Sequence, residues 1–358
     1  MAAQTDPAML VRVARRHGVI GLVVEGLRSA AIEPPEPLAR IARRRGIAAL
    51  RQAEEALRLE PLFVAAGVPL LILKGTPLAK RAYGGIGIRE AVDIDLAVAR
   101  TDVDRAWQVM REAGYRAETP RKPLKGFALK MFLWAAKDSL HRHPDHDIAV
   151  ELHWRLSDDL RDPKPPSPEH WQRIGLYAGR SLATLGEDDL FVYLCVHGAA
   201  HGWARLKWLA DIAALVSQSA DGGTAYWQAA RRAEAETAAA SALMLAHRLL
   251  ALPLPAGFRP PASRRLRLLN RLALAIMSAG GGARDLAASP YRGWAELTAK
   301  LLVSPGPRNR RAVLRRLLVS GEDVGMLALP AILALAYPLL RIPMWGMRRL
   351  RRGAGRTG

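Results

Sequence analysis

The chain has a single cysteine, Cys195, in 358 residues. No intrachain disulfide can form, which fits a reducing compartment. Cys195 lies in the apolar run Phe191 to Val196 and reads as a core residue rather than a nucleophile. Acidic residues are also few: 33 Asp and Glu stand against 53 Lys and Arg, a net charge of +20. That excess suggests a polyanionic partner, either nucleic acid or an anionic membrane surface. An arginine-rich composition also follows from GC-rich coding. Long apolar runs are missing as well. Val324 to Leu340 is 17 residues without a charge, but Pro330 and Pro338 interrupt it. A spanning helix needs about 20 apolar residues. Arg341, Trp345, Arg348, Arg349, Arg351 and Arg352 follow, so the stretch reads as a packed helix or a membrane-surface anchor. Arg12, Arg15 and Arg16 interrupt any signal-peptide pattern. The expected location is therefore cytoplasmic, peripheral at the inner face of the membrane if the basic tail meets lipid.

What is present centres on Leu71 to Val98. Leu70 to Leu73 is a short apolar run, the mark of a buried strand. Lys74-Gly75-Thr76-Pro77 turns the chain, and Pro77 suits the first turn of a helix running to about Tyr83. Gly75 lets backbone approach a ligand, and a helix N-terminus offers free N–H donors to phosphate. A second strand carries Asp93 and Asp95, two residues apart and so on one face, with Val92, Ile94 and Leu96 on the other. Adjacent carboxylates repel unless neutralised, and a hard divalent cation such as Mg²⁺ is the usual remedy. Lys74 and Arg89 are candidate charge stabilisers for a transferring phosphate. Alternatively, they form structural ion pairs with neighbouring acids.

Further motifs follow in order. Residues 127–156 read as a hairpin: one arm within Phe127 to Leu140, a polar solvated tip at 141–147, and a second arm from Ile148 to Trp154. On that arm Glu151 and His153 share a face that the Asp pair could meet. Later, His197 and His201 stand four apart, one helical turn, and Trp203 follows. They read as a helix–helix contact or as contacts facing a cleft. Glu is absent after His197, so this is not a metalloprotease signature.

Together, Lys74-Gly75, Arg89, Asp93-Ile94-Asp95-Leu96, Glu151-Leu152-His153-Trp154 and His197-Gly198 through His201-Gly202-Trp203 resemble the bacterial uncharacterised nucleotidyltransferase family. That family resembles in turn the wider DNA polymerase beta-like superfamily, which includes the aminoglycoside nucleotidyltransferases. The resemblance covers roughly residues 60–215. It implies a Mg²⁺-dependent transfer of a nucleoside monophosphate from an NTP to an acceptor it does not supply. It assigns metal binding and catalysis to Asp93, Asp95 and Glu151, with two Mg²⁺ ions and NTP as co-substrate. Nucleotide binding falls to Lys74, Gly75, Thr76 and Arg89, and His153, His197 and His201 are candidate acceptor contacts. Thr76 stands where many superfamily members have Ser. Two other readings stay open. One is a non-catalytic nucleotide- or partner-binding member of the fold. The other is a basic membrane-surface or nucleic-acid-binding protein.

The expected architecture is α+β. A small mixed-sheet core at 67–160 is flanked by a helical segment at 1–66 and a larger all-helical domain at 161–358 with a basic apolar tail. Helices are expected at Ala8–Leu27, and at Leu38–Ala65 with Ile41, Ile47, Leu50 and Leu57 on one side. Arg43, Arg44 and Arg45 read as a solvated face. Thr101 reads as an N-cap with Gly114 closing the helix. A proline-rich linker covers 157–170. Asp188–His201, Leu206–Val216, Thr224–Leu250 and Ser263–Ser278 complete the helices.

Overall fold

The structure is a computed structural model. It describes residues 6–157, 164–279, 291–303, 306, 311, 313–315, 318–327 and 329–341. The glycine run at 280–282, part of the linker and the basic cluster at 348–352 lie outside them.

The architecture is α+β. Helices α1 (Pro7–His17), α2 (Ile20–Ser29) and α3 (Glu36–Ala65) lead into β1 (Leu71–Ile72), α4 (Thr76–Tyr83), β2 (Ile94–Ala97), α5 (Val103–Glu112) and β3 (Arg116–Thr119). Next come α6 (Gly126–Ala135), β4 (Asp138–His143), β5 (Ile148–His153), β6 (Trp171–Gly175) and β7 (Ser181–Leu185). Helices α7 (Glu187–Ala200), α8 (Leu206–Gln218), α9 (Thr224–Arg232), α10 (Glu236–Leu250) and α11 (Arg264–Ser278) follow, then further helical pieces from Tyr291.

The strands form one mixed sheet in the order β3-β4-β5-β2-β1-β7-β6. The short central strands β1 and β2 pair antiparallel, while β2–β5 and β1–β7 are parallel. Both faces of β1 and β2 are covered, which is why Leu70 to Leu73 reads as an unbroken apolar run. One face packs on α3, α5 and α6 through Leu59, Phe63, Val103, Met110 and Phe132. The other meets the helical half through Leu71, Leu73 and Ala97 against α7. The Ala-rich α10 is buried along most of its length, as expected of a helix apolar on all sides.

Several elements depart from the sequence reading. The first expected helix is two, because Gly18 closes α1 in the left-handed conformation. The alanine-rich helix is also two, α9 and α10, broken where Glu234 takes a positive φ. Residues Arg100–Asp102 form a 3₁₀ turn, and no side-chain hydrogen bond caps α5, so Thr101 is not its N-cap. Ile47 and Leu50 are exposed while Leu57 is buried, because the face of α3 that packs inward carries Leu38, Ala49, Ala53 and Leu57 instead. Phe127 belongs to α6 rather than to a strand. Beyond the linker the chain first adds β6 and β7 to the sheet before turning helical, so the sheet continues past residue 160. Residues 321–341 break into a short helix, a 3₁₀ segment and a helical end, with Tyr337 buried. No helix among the described residues is long and apolar enough to cross a membrane.

Candidate active site

The β2–β5 register sets Asp95 opposite Glu151 and Ala97 opposite His153. Antiparallel pairing then sets Asp138 opposite His153. Directly paired residues share a face, so Asp95, Glu151, His153 and Asp138 project together. Ligand atoms of Asp95, Glu151 and His153 lie within 4.8 Å of one another. His153 Nε2 is 3.2 Å from Asp95 Oδ1 and 3.4 Å from Glu151 Oε2, and its Nδ1 is 3.6 Å from Asp138 Oδ2. Asp93 lies just before β2, at its open end. Val92 is 63% exposed, so it does not share the core face with Ile94 and Leu96.

Lys74 comes from the turn after β1. Its Nζ is 2.8 Å from Asp95 Oδ2 and 4.0 Å from Asp93 Oδ1. Burial would raise Asp95, but the Lys74 ammonium and the His153 hydrogen bond hold its carboxyl well below the usual range. Burial and the Asp95 charge push Asp93 up to about 6. Burial would likewise lower His153, yet its bonds to Asp95 and Glu151 leave it raised. Four carboxylates, Asp93, Asp95, Asp138 and Glu151, gather around one imidazole, with Lys74 beside the first two and Lys137 beside Asp138. This oxygen-rich donor set fits a divalent cation such as Mg²⁺.

Beside the acids, Gly75 is the N-cap of α4 with φ +76° and ψ −123°. Only glycine adopts that conformation readily. No side chain caps α4, and its first-turn N–H groups have no helical partner. A cavity of about 190 Å³ opens there, lined by Lys74, Gly75, Asp93, Asp95, His197 and Lys207 among others. Lys207 comes from α8; burial, then Arg89 and Lys74, push its ammonium down to about 7. No sequence motif marks Lys207, since its convergence on the acids depends on how α8 packs.

The profile of the uncharacterised nucleotidyltransferase family matches residues 3–251. The chain belongs to that family. Among solved structures it is similar to the antibiotic-resistance factor ANT(2'')-Ia at 15% identity, covering 51% of this chain and 93% of that one with a TM-score of 0.35. It is also similar to an antigenic nucleotidyltransferase-like protein from Paracoccidioides brasiliensis, at 12% identity, covering 56% and 92% with a TM-score of 0.28. No curated protein matches.

Two of the expected site residues are held by acids in the structure. Arg89 makes a buried two-pronged pair with Asp211, Nε to Oδ1 at 2.8 Å and Nη2 to Oδ2 at 2.9 Å, and Tyr83 donates to the same carboxylate at 2.9 Å. It lines the cavity, but two arms of its fork are engaged. The alternative of a structural ion pair therefore describes Arg89, with an acid from α8 rather than a neighbouring one. His153 is 1% exposed among the acids, which suits it to hold carboxylates rather than to meet an acceptor. His197 and His201 do reach the cavity, with rings 4.9 Å apart and both against Trp208. Burial lowers the pKa of both, with Lys74 adding to the effect at His197 and Glu296 opposing it at His201. The family's His-Gly-x-x-His-Gly-Trp run has a packing reason: a Cβ at Gly198 would lie 2.1 Å from the Trp203 ring. At the hairpin, His141 and His143 are buried in β4, so the solvated tip is shorter than expected.

Proposed function

We propose that this nucleotidyltransferase family member moves a nucleoside monophosphate from an NTP to an acceptor hydroxyl. The observation that carries this is the strand register that unites Asp95, Glu151 and His153 beside the Gly75 turn. In this reading Asp93, Asp95 and Glu151 would hold divalent metal. The metal, when bound, offsets charge on the triphosphate and the leaving group and lowers the pKa of the attacking oxygen. The amides after Gly75 and the Thr76 hydroxyl bind the outer phosphates, assisted by Lys74 and Lys207. Glu151 takes the acceptor proton as the oxygen attacks the α-phosphorus. The bond from that phosphorus to the bridging oxygen breaks, and pyrophosphate leaves. His153, bonded to both Asp95 and Glu151, fixes their orientation.

A cavity of about 480 Å³ reaches Glu151, His197 and His201 from the side of Lys137, Lys300 and Gly321. It shares the two histidines with the smaller cavity, which supports entry of the acceptor on the Glu151 side. The test is label transfer. Protein is incubated with Mg²⁺, cell extract and NTP labelled at either the α- or the γ-phosphate. Transfer from the α-position alone is expected, and its loss in Glu151→Gln. Label moving from the γ-position instead would assign a kinase reaction and contradict the proposal.

A further inference from the structure

A separate cleft of about 620 Å³ opens between α1, α3 and the β4–β5 turn. Arg15, Arg44, Arg45 and Arg51 line it, and Asp147 is the one carboxylate among the lining residues. Asp147 is already bonded to Arg142 at 2.9 Å. Arg45 makes only a 3.9 Å contact, with Glu90. Among the described residues, Arg15, Arg44 and Arg51 pair with no carboxylate; the same holds for Arg28 and Arg40, which do not line the cleft, so what sets the first three apart is that they line one cavity together. Arg44 and Arg51 are seven residues apart on α3, two turns, and so lie on one face. Converging like charges repel unless an anion offsets them, and guanidinium forks match phosphate oxygens in pairs.

The cleft adjoins the transfer site. Ala91 and Val92 line both cavities, and Asp93 follows directly. Glycines hold the two close. A Cβ at Gly21 would lie 2.1 Å from the Ile88 carbonyl oxygen, and one at Gly87 would lie 3.3 Å from Gly46 Cα. Helices α2 and α3 therefore pack directly on the loop that leads to the acids. Glu90 reinforces the join, accepting from the Ile20 amide at 3.1 Å.

We propose that this arginine cleft binds phosphate groups of the acceptor, so that the substrate carries phosphate at a distance from the hydroxyl that receives the nucleotide. The acceptor assignment rests on the nucleotidyl-transfer reading; the anion site itself does not. Phosphate of this kind belongs to a free phosphorylated compound or to a nucleic-acid strand. The test is calorimetric titration in EDTA with inorganic tripolyphosphate, and separately with a short single-stranded RNA. The proteins are wild type, Arg44→Glu/Arg51→Glu, the charge-matched control Arg28→Glu/Arg40→Glu outside the cleft, and Gly75→Asp. At least a tenfold loss of probe affinity is expected in the cleft variant, with the control and Gly75→Asp close to wild type. Mg–NTP binding in the cleft variant should stay within twofold. Tighter RNA binding would assign the strand, and tighter tripolyphosphate binding the free compound; either supports the site. Probe binding equal in cleft and control variants, or none by wild type at millimolar concentration, overturns it. If NTP binding fails in wild type while the probe still binds the cleft, the transfer reading fails and the anion site stands.

Discussion

Two buried side chains carry the sharpest consequences for stability and pH. Arg89 and Asp211 neutralise each other out of water. Removing one partner strands the other charge, at about 3–5 kcal/mol. Arg89→Ala should therefore lower the unfolding free energy by that order in a urea titration. A nucleotide-binding role alone would weaken NTP affinity and leave the urea midpoint in place. His141 sets a pH dependence. It is buried on β4, where it shares a hydrogen bond with Ser139 at 2.9 Å, and burial then Arg111 push it down to about 4. A histidine whose folded pKa lies below its unfolded value takes up its proton more readily in the unfolded chain. Stability is thus intact above about pH 6.5 and falls as the pH drops toward 4, by about 3 kcal/mol at most. His141→Gln should flatten that part of the stability curve, and an unchanged slope would remove His141 as its source. Such residues mark the limit of what sequence reveals. Asp95 and Glu151 are legible because strand alternation fixes the face each takes on its own strand and the family resemblance joins the two, while Asp93 lies just before β2. Asp211 is not legible, because its partner lies 122 positions away and only tertiary packing brings them together.

At the scale of elements, α7 and the turn after it decide how the helical half meets the sheet. Trp203 is fully buried, with its indole N–H donating to Ser241 at 3.0 Å, and it lies flush on Gly198. Gly198→Ala forces the ring or the helix to shift, at a cost of about 1–3 kcal/mol or more. Thermal unfolding should show a lowered midpoint, and loss of metal-dependent NTP binding should follow as His197 and His201 move. An unchanged midpoint would mean the ring yields freely. Most helices were readable from apolar spacing, and Gly114 marked an end, whereas the breaks inside the first and the alanine-rich helices were not. The residue that interrupts α9 and α10 is Glu234, which carries no turn signature, and the break comes from a backbone conformation only the packed state enforces. The hairpin likewise hid α6, since Phe127 to Ala135 is apolar enough to pass for a buried strand.

For the whole molecule, the mixed sheet divides two apolar cores and leaves its acid-bearing face against α7 and α8. The two strands that extend the sheet past β1 lie after a proline-rich segment, so composition suggested a boundary where the fold has a continuous sheet. The motif order, by contrast, was fully legible, because Lys74-Gly75, the Asp pair and Glu151 belong to adjacent strands or the turn between them. If these groups form a metal–nucleotide site, ligand must stabilise the folded state by mass action. Millimolar Mg²⁺ with the preferred NTP should raise the thermal midpoint, and EDTA should abolish the rise; a rise that persists in EDTA would place the nucleotide elsewhere. The most direct measurement is calorimetric titration of ATP, GTP, CTP and UTP into wild type, Asp95→Ala and Gly75→Asp, with Mg²⁺ and with EDTA. At least one NTP is expected to bind wild type only in Mg²⁺ and to bind neither variant. Failure of all four to bind wild type at millimolar concentration, or equal binding by Asp95→Ala, would contradict that expectation.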